Sequence, residues 1–262
     1  MQRIVSLLIF QTPEPKPVMQ ISAWIDRRFG EPLESVLAQI ETQEHRRFLK
    51  SHLPLDGLPF YDEVKYVHVA RDGRDACMSL HNHVTAFTDE ALECFDKIGL
   101  EDESIGRSYP RAPASPAEFF HQWVEGVAAN GSFFDFERSW WAARERPNLL
   151  LVHYNDLKAD LLGEMRRIAD FLGITVPSLC WPELVLAAGF DAMRRDGDTL
   201  MSTLANRFQG GSQRFFFQGR NERWRGVFSQ EDLARYDAKV RAFLSPACAR
   251  WVALGRRQSG DT

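Results

Sequence analysis

Two small groups of side chains carry most of the chemistry legible in this 262-residue sequence. Lys50 and His52 stand two apart in the segment KSHLP, which reads as extended and runs into a Pro-punctuated loop. Side chains two apart on an extended segment share a face, so an ammonium and an imidazole point into the same space. An imidazole, with an ordinary pKa of about 6.5, can accept a proton at neutral pH, and a neighbouring ammonium can offset developing negative charge. On spacing alone, though, a histidine in such a loop is more often a hydrogen-bonded surface residue. The second group is Arg71 and Ser79 in YVHVARDGRDACMS. A guanidinium followed by a hydroxyl suits a phosphate. Taken singly, Arg71 also fits as an ion-pair partner of Asp72 or Asp75, and Ser79 as a small residue of its helix.

The surrounding elements must position these groups. Residues 66–70 (YVHVA) are short, apolar and β-rich, and predict a strand buried on both faces that ends at Arg71. Asp72-Gly73 is a turn signal, and residues 74–83 keep Ala76, Cys77 and Leu80 at helical spacing. Strand, turn and helix make half of a βαβ unit, and ligands of such sheets bind beyond the carboxyl ends of the strands. That places Arg71 at a ligand edge, with Ser79 about two turns into the helix. Residues 149–154 (LLLVHY) predict a second buried strand, followed by a helix over 160–172 closed by Gly173. Two strand–helix pairs imply a parallel sheet, so the expected fold is α/β: one domain over 1–262 with a central parallel sheet flanked by helices.

Elsewhere the pattern predicts a buried apolar helix over 2–11, an amphipathic helix from Pro32 with Leu33, Val36, Leu37 and Ile40 as its stripe, and a short strand at 48–50. Trp24 and Phe29 are expected to pin the intervening loop. Ser115-Pro116-Ala117-Glu118 reads as a capping box opening a helix. A short helix follows over 139–145, and a helix over 230–244 is expected to close the domain. Residues 102–113 read as a polar surface loop, and residues 210–225, rich in Arg and Phe, as a loop suited to covering a polyanion. Residues 176–201 receive no assignment.

Composition removes several functional classes. A net charge of -4 and a pI near 6.0 argue against a general nucleic-acid surface or an anionic-membrane surface. Cys77, Cys94, Cys180 and Cys248 lie far apart without a CxxC pair, so neither a zinc knuckle nor a disulfide framework is indicated. His81 and His83 do not share a helix face, so no metal is expected there. The N-terminal apolar run is too short to span a membrane and lacks a cleavage site, and a cytoplasmic setting is the expectation.

Five blocks together resemble the cytosolic-type sulfotransferase family, whose members move a sulfuryl group from 3′-phosphoadenosine 5′-phosphosulfate (PAPS) to an acceptor hydroxyl or amine. KSHLP at 50–54 resembles the K-T-H-L-P segment, which implies that His52 is the general base with Lys50 beside it. YVHVARDGRDACMS resembles the element holding the nucleotide 3′-phosphate, with Arg71 and Ser79 at the matching positions. HYNDLKAD at 153–160 and GFDAMRRD at 189–196 are similar to the segments that border the adenine, implicating Tyr154 and Phe190. FFFQGRNERWRGVF at 215–228 is similar to the late F-x-R-K-G-x-x-G-x-W-K-x-x-F motif. The resemblance implies a P-loop NTPase-like sulfotransferase fold, PAPS as co-substrate, a small-molecule acceptor and no metal.

The departures are as informative. In the late motif only Gly219 of the R-K-G core is matched, Phe217 and Gln218 standing where Arg-Lys would be, with Arg220 or Arg214 as the substitute cation. The dimer signature is not recognisable, so no dimer is carried over. The phosphosulfate loop, whose backbone N–H groups and lysine would grip the donor, and the first strand that would precede it are not seen before the first helix, so the chain is expected to start just after them. The second reading is therefore a nucleotide-binding or interaction protein of the same fold without catalysis. A nucleotide kinase would need a Gly-rich lysine loop and Mg²⁺-binding carboxylates, neither of which is identifiable.

Overall fold

The computed structural model describes residues 1–26, 32–103, 105–127 and 131–260, so Phe29 lies outside the described residues. The chain divides into two compact units. One comprises Met1–His52, Ala86–Arg111 and Ile174–Gly219; the other comprises Leu53–Thr85, Ala112–Gly173 and Arg220–Thr262.

The second unit carries the sheet. β1 (Tyr66–Ala70) and β2 (Leu149–His153) pair in parallel, in a register running from Tyr66 opposite Leu149 to Ala70 opposite His153. β2 is buried along nearly its whole length, as expected. β1 is not: His68 and Ala70 are buried, whereas Val69 is 39% exposed, so only one face of this strand is packed. The turn after β1 is fixed by Asp72, whose carboxylate accepts from the backbone N–H groups of Arg74 and Asp75 and caps the helix Gly73–Val84. Gly73 has no room for a side chain, since a Cβ would lie 2.6 Å from the Tyr236 hydroxyl and 2.7 Å from the Phe133 ring.

That helix packs into an aromatic core containing Phe120, Phe134 and Trp251, all essentially inaccessible. Phe120 and Phe228 stack with centroids 3.9 Å apart. Local caps set the helix starts: Ser115 for Pro116–Val124, Ser132 for Phe133–Ala142, Asp160 for Leu161–Leu172, and a full Ser229/Asp232 capping box for Gln230–Phe243. Gly173, at φ 68°, ends the Leu161–Leu172 helix. Two expectations are corrected. The Trp-bearing helix begins at Phe133 rather than at 139, because Ser132 supplies the cap. Gln230–Phe243 does not close the unit: Pro246–Leu254 and Arg256–Ser259 follow, the former burying Trp251 and Val252.

In the first unit the helix Gln2–Phe10 buries Leu7 and Leu8 completely. Leu33–Glu41 buries Val36 and Ile40 but leaves Leu33 and Leu37 exposed, so its packed stripe is narrower than the pattern predicts. The strand expected at 48–50 reduces to a single parallel bridge between Trp24 and Lys50. Helices absent from the sequence reading include Asp89–Glu101, capped by Thr88, and Trp181–Ala188, Phe190–Arg195 and Gly197–Leu200, and Gly211–Phe215 forms within the segment read as a loop.

Candidate functional site

Parallel register brings Arg71 and Tyr154 to one edge of the sheet. Ala70 pairs with His153, so the next residue of each strand leaves the carboxyl end beside the other. The Arg71 guanidinium lies 4.4 Å from the centre of the Tyr154 ring, a cation–π contact. Its Nε and Nη2 donate to Asn221 Oδ1 at 3.1 and 2.8 Å, and Nη2 also donates to the Arg220 carbonyl at 2.9 Å. Three of the five guanidinium N–H groups are thereby committed. The two on Nη1 have no hydrogen-bond partner among the described residues. Burial raises the Tyr154 phenol above its ordinary pKa while Arg71 pulls it back.

The ion-pair reading of Arg71 loses its nearest partner. Arg74 takes the Asp72 carboxylate through Nε at 3.0 Å and Nη2 at 2.6 Å, with its guanidinium 4.3 Å from the Trp224 ring centre. Asp75 is buried beside Arg71, and burial raises its pKa although the Arg71 charge opposes the shift. The backbone N–H groups of Glu222 and Arg223 also oppose the rise, and its Oδ1 is buried without a hydrogen-bond partner among the described residues. Ser79 is exposed on the helix Gly73–Val84, and its hydroxyl has no hydrogen-bond partner among the described residues.

In the first unit, Lys50 and His52 share a face as their spacing predicts, and that face is Trp24. The Lys50 ammonium lies 4.3 Å from the Trp24 ring centre and the His52 ring 4.4 Å from it. His52 is exposed, and its backbone N–H donates to Asp26 Oδ2 at 3.0 Å. Phe190 and Gly219 also meet. Gly219 sits at φ 60°, and a Cβ there would stand 2.5 Å from the Phe190 ring, so both conformation and space require glycine. Arg214, one of the two substitute cations, lies over Phe217 at 5.1 Å. Arg220, the other, is exposed in the second unit and presents its carbonyl oxygen to Arg71.

Sequence reasoning missed Trp24 as the platform under Lys50 and His52, and missed Asn155 and Asn221. Asn221 Nδ2 donates to Asn155 Oδ1 at 2.7 Å, which links the two amides to Arg71. Each follows a residue already singled out, Tyr154 and Arg220, which is the only signal the sequence offers. Among the described residues no group of three or more His, Cys, Asp or Glu side chains is placed to hold a metal ion. Among the same residues no helix is long and apolar enough to cross a membrane.

The chain matches the sulfotransferase domain family over residues 1–246. It is 32% identical over 277 residues to a glycolipid sulfotransferase of Mycobacterium tuberculosis, an alignment spanning 98% of this chain and 84% of that protein. Sulfotransferase 1B1 of Mus musculus is 26% identical over 203 residues, 76% of this chain and 61% of its own length. Among solved structures, retinol dehydratase in complex with androsterone and the inactive cofactor PAP superposes with a TM-score of 0.73 at 22% identity, covering 94% of this chain and 76% of that one. Mouse sulfotransferase SULT7A1 complexed with PAP superposes at 0.67 and 16% identity, covering 96% and 82%. The five motif blocks, the parallel α/β fold and the match of residues 1–246 to the domain family agree: this chain belongs to the sulfotransferase family and has its fold.

Proposed function

We propose that the chain transfers the sulfuryl group of PAPS to a hydroxyl or amine of a small-molecule acceptor, as a single cytoplasmic sulfotransferase domain over 1–262. The observation that carries the nucleotide assignment is Arg71, fixed against Tyr154 at the carboxyl edge of the sheet with both Nη1 N–H groups uncommitted. That donor set fits an anion. Arg71 and the open Ser79 hydroxyl hold the 3′-phosphate, and Tyr154 and Phe190 border the adenine. Gly219 admits the backbone close to the Phe190 ring, and Arg220 supplies positive charge where the late motif lacks its Arg-Lys.

His52 takes the proton of the attacking acceptor group, and Lys50 offsets charge on the departing side. The acceptor oxygen or nitrogen forms its bond to sulfur as the bond from sulfur to the bridging phosphate oxygen breaks, leaving adenosine 3′,5′-bisphosphate (PAP). By analogy with phosphoryl transfer, positioning and charge stabilisation supply most of the acceleration. Trp24 beneath both side chains is the surface that orients them. The mycobacterial relatives are glycolipid sulfotransferases, which makes a sugar hydroxyl of a glycolipid the first acceptor to test.

Calorimetric titration with PAP tests the nucleotide assignment. Wild-type protein is expected to bind, and Arg71→Ala to lose on the order of tenfold or more in affinity, the loss of charge-assisted hydrogen bonds. Folded wild-type protein that takes up no PAP would overturn the assignment. Transfer of labelled sulfate from PAPS to a glycolipid panel tests the reaction itself.

A further inference from the structure

Arg71 is held by a chain of amides whose donor and acceptor ends are fixed by one another. Asn221 Oδ1 receives two N–H groups from Arg71, so its Nδ2 must point away, and it donates to Asn155 Oδ1. Asn155 Nδ2 then faces the carbonyls of Ala253 and Leu254, at 3.4 and 3.3 Å. Every link has a donor meeting an acceptor, and flipping either amide would set like against like. The far end is anchored firmly. His153 Nε2 donates to the Val252 carbonyl at 2.9 Å, and Asp156 accepts from the backbone N–H groups of Arg256 and Arg257 at 2.8 and 3.1 Å. Gly255, at φ 83°, fits only because it has no side chain, since a Cβ would lie 2.9 Å from Asp156 and His153. These anchoring residues, 252–257, lie beyond the part of the chain that matches the family domain.

We propose that Asn155 and Asn221 are positioning residues that orient the Arg71 guanidinium for its anion, anchored on the C-terminal segment 252–257. Their neutrality is part of the device. A carboxylate at either place would draw on the same guanidinium and cancel charge meant for the ligand, whereas an amide fixes its direction and leaves the charge in place. The inference rests on the nucleotide reading for the identity of the anion, and on geometry alone for the positioning.

Three variants test it: Asn221→Ala, Asn221→Asp and Asn155→Ala. Each is read by the Arg71 Nε–H signal in nitrogen-15 NMR of the free protein, by PAP titration and by steady-state kinetics in PAPS. The Arg71 signal is expected to be protected and slowly exchanging in wild-type protein and to lose that protection in Asn221→Ala. PAP affinity should fall on the order of tenfold in Asn221→Ala, with KM for PAPS rising more than kcat falls. Asn221→Asp should keep the Arg71 signal ordered, because a carboxylate still accepts from the guanidinium, yet bind PAP more weakly than Asn221→Ala. An Asn221 that merely tied down its loop would give the opposite order, because the aspartate keeps the Arg71 bonds that hold the loop and alanine keeps none. Unchanged Arg71 exchange in Asn221→Ala and Asn155→Ala, or wild-type PAP affinity in Asn221→Asp, would overturn the proposal. Should wild-type protein itself bind no PAP, the nucleotide reading falls, and the Arg71 signal alone decides the positioning claim.

Discussion

Gly219→Ala separates two physical contributions at a position carried over from the late motif. The residue has φ 60°, a left-handed conformation that costs a residue with a Cβ about 1–2 kcal/mol. The added Cβ would stand 2.5, 2.6 and 2.8 Å from three atoms of the Phe190 ring, closer than any real contact, so the ring must leave its rotamer or the backbone must shift. Displacing the ring adds about 0.5–1.5 kcal/mol, for a total of roughly 1.5–3.5 kcal/mol. Gly226 provides the control. It has φ 77°, but nothing lies within 4 Å of its Cβ position, so Gly226→Ala should show only the conformational cost of about 1–2 kcal/mol. Urea unfolding should therefore place Gly219→Ala about 1 kcal/mol below Gly226→Ala, a separation of about 2–4 °C in Tm. If Phe190 borders the adenine, PAP affinity should also drop in Gly219→Ala and hold in Gly226→Ala. Equal destabilisation by the two variants would show that the Phe190 ring offers no resistance, and the steric reasoning would be wrong.

Three other perturbations probe different parts of the molecule. His52→Ala should lower kcat by ~10²–10⁴ while PAP affinity holds, the signature of a lost general base; a kcat close to wild type would remove His52 from the chemistry. Glu164 is 1% exposed and accepts from Arg167 at 2.7 Å and Arg256 at 2.9 Å, which hold its carboxyl below the usual range despite burial. Glu164→Gln should cost about 1–3 kcal/mol in urea unfolding, less than for a fully buried pair because the two guanidiniums are 26% and 35% exposed. Burial holds the His153 imidazole below its ordinary pKa of 6.5, the Val252 hydrogen bond opposing only in part. The unfolded chain therefore binds this proton near pH 6.5 and the native chain does not, so the stability it contributes is complete above about pH 6.5 and is lost as pH falls below it. Urea unfolding between about pH 7.5 and about pH 5 should show a shallower slope for His153→Gln than for wild type. Parallel slopes would refute the assignment.

Much of this architecture was legible because its determinants are local. β1 and β2 announced themselves as short apolar runs, the Ser115-Pro116 cap and Gly173 stop are signals of adjacent residues, and the shared face of Lys50 and His52 follows from a spacing of two. The same rules reached further than they were applied. Ser245-Pro246 repeats the Ser115-Pro116 signature and opens the helix that buries Trp251, and Thr88 caps a helix whose Ala91, Phe95 and Gly99 are buried at intervals of four. What no local rule reveals is which groups hold Arg71. Asn221 lies 150 residues from Arg71 and 66 from Asn155, and an asparagine after a candidate residue reads like any loop amide. The late motif sharpens the point. With Phe217 and Gln218 where cations were expected, attention goes to Arg214 and Arg220. Yet Arg214 lies over the Phe217 ring, and Arg220 offers its carbonyl to Arg71. On the proposed reading, a phosphate site short of two cations depends more heavily on the guanidinium it retains. Its neighbours must then fix the direction of that group without consuming its charge, which two amides in series can do and a carboxylate cannot.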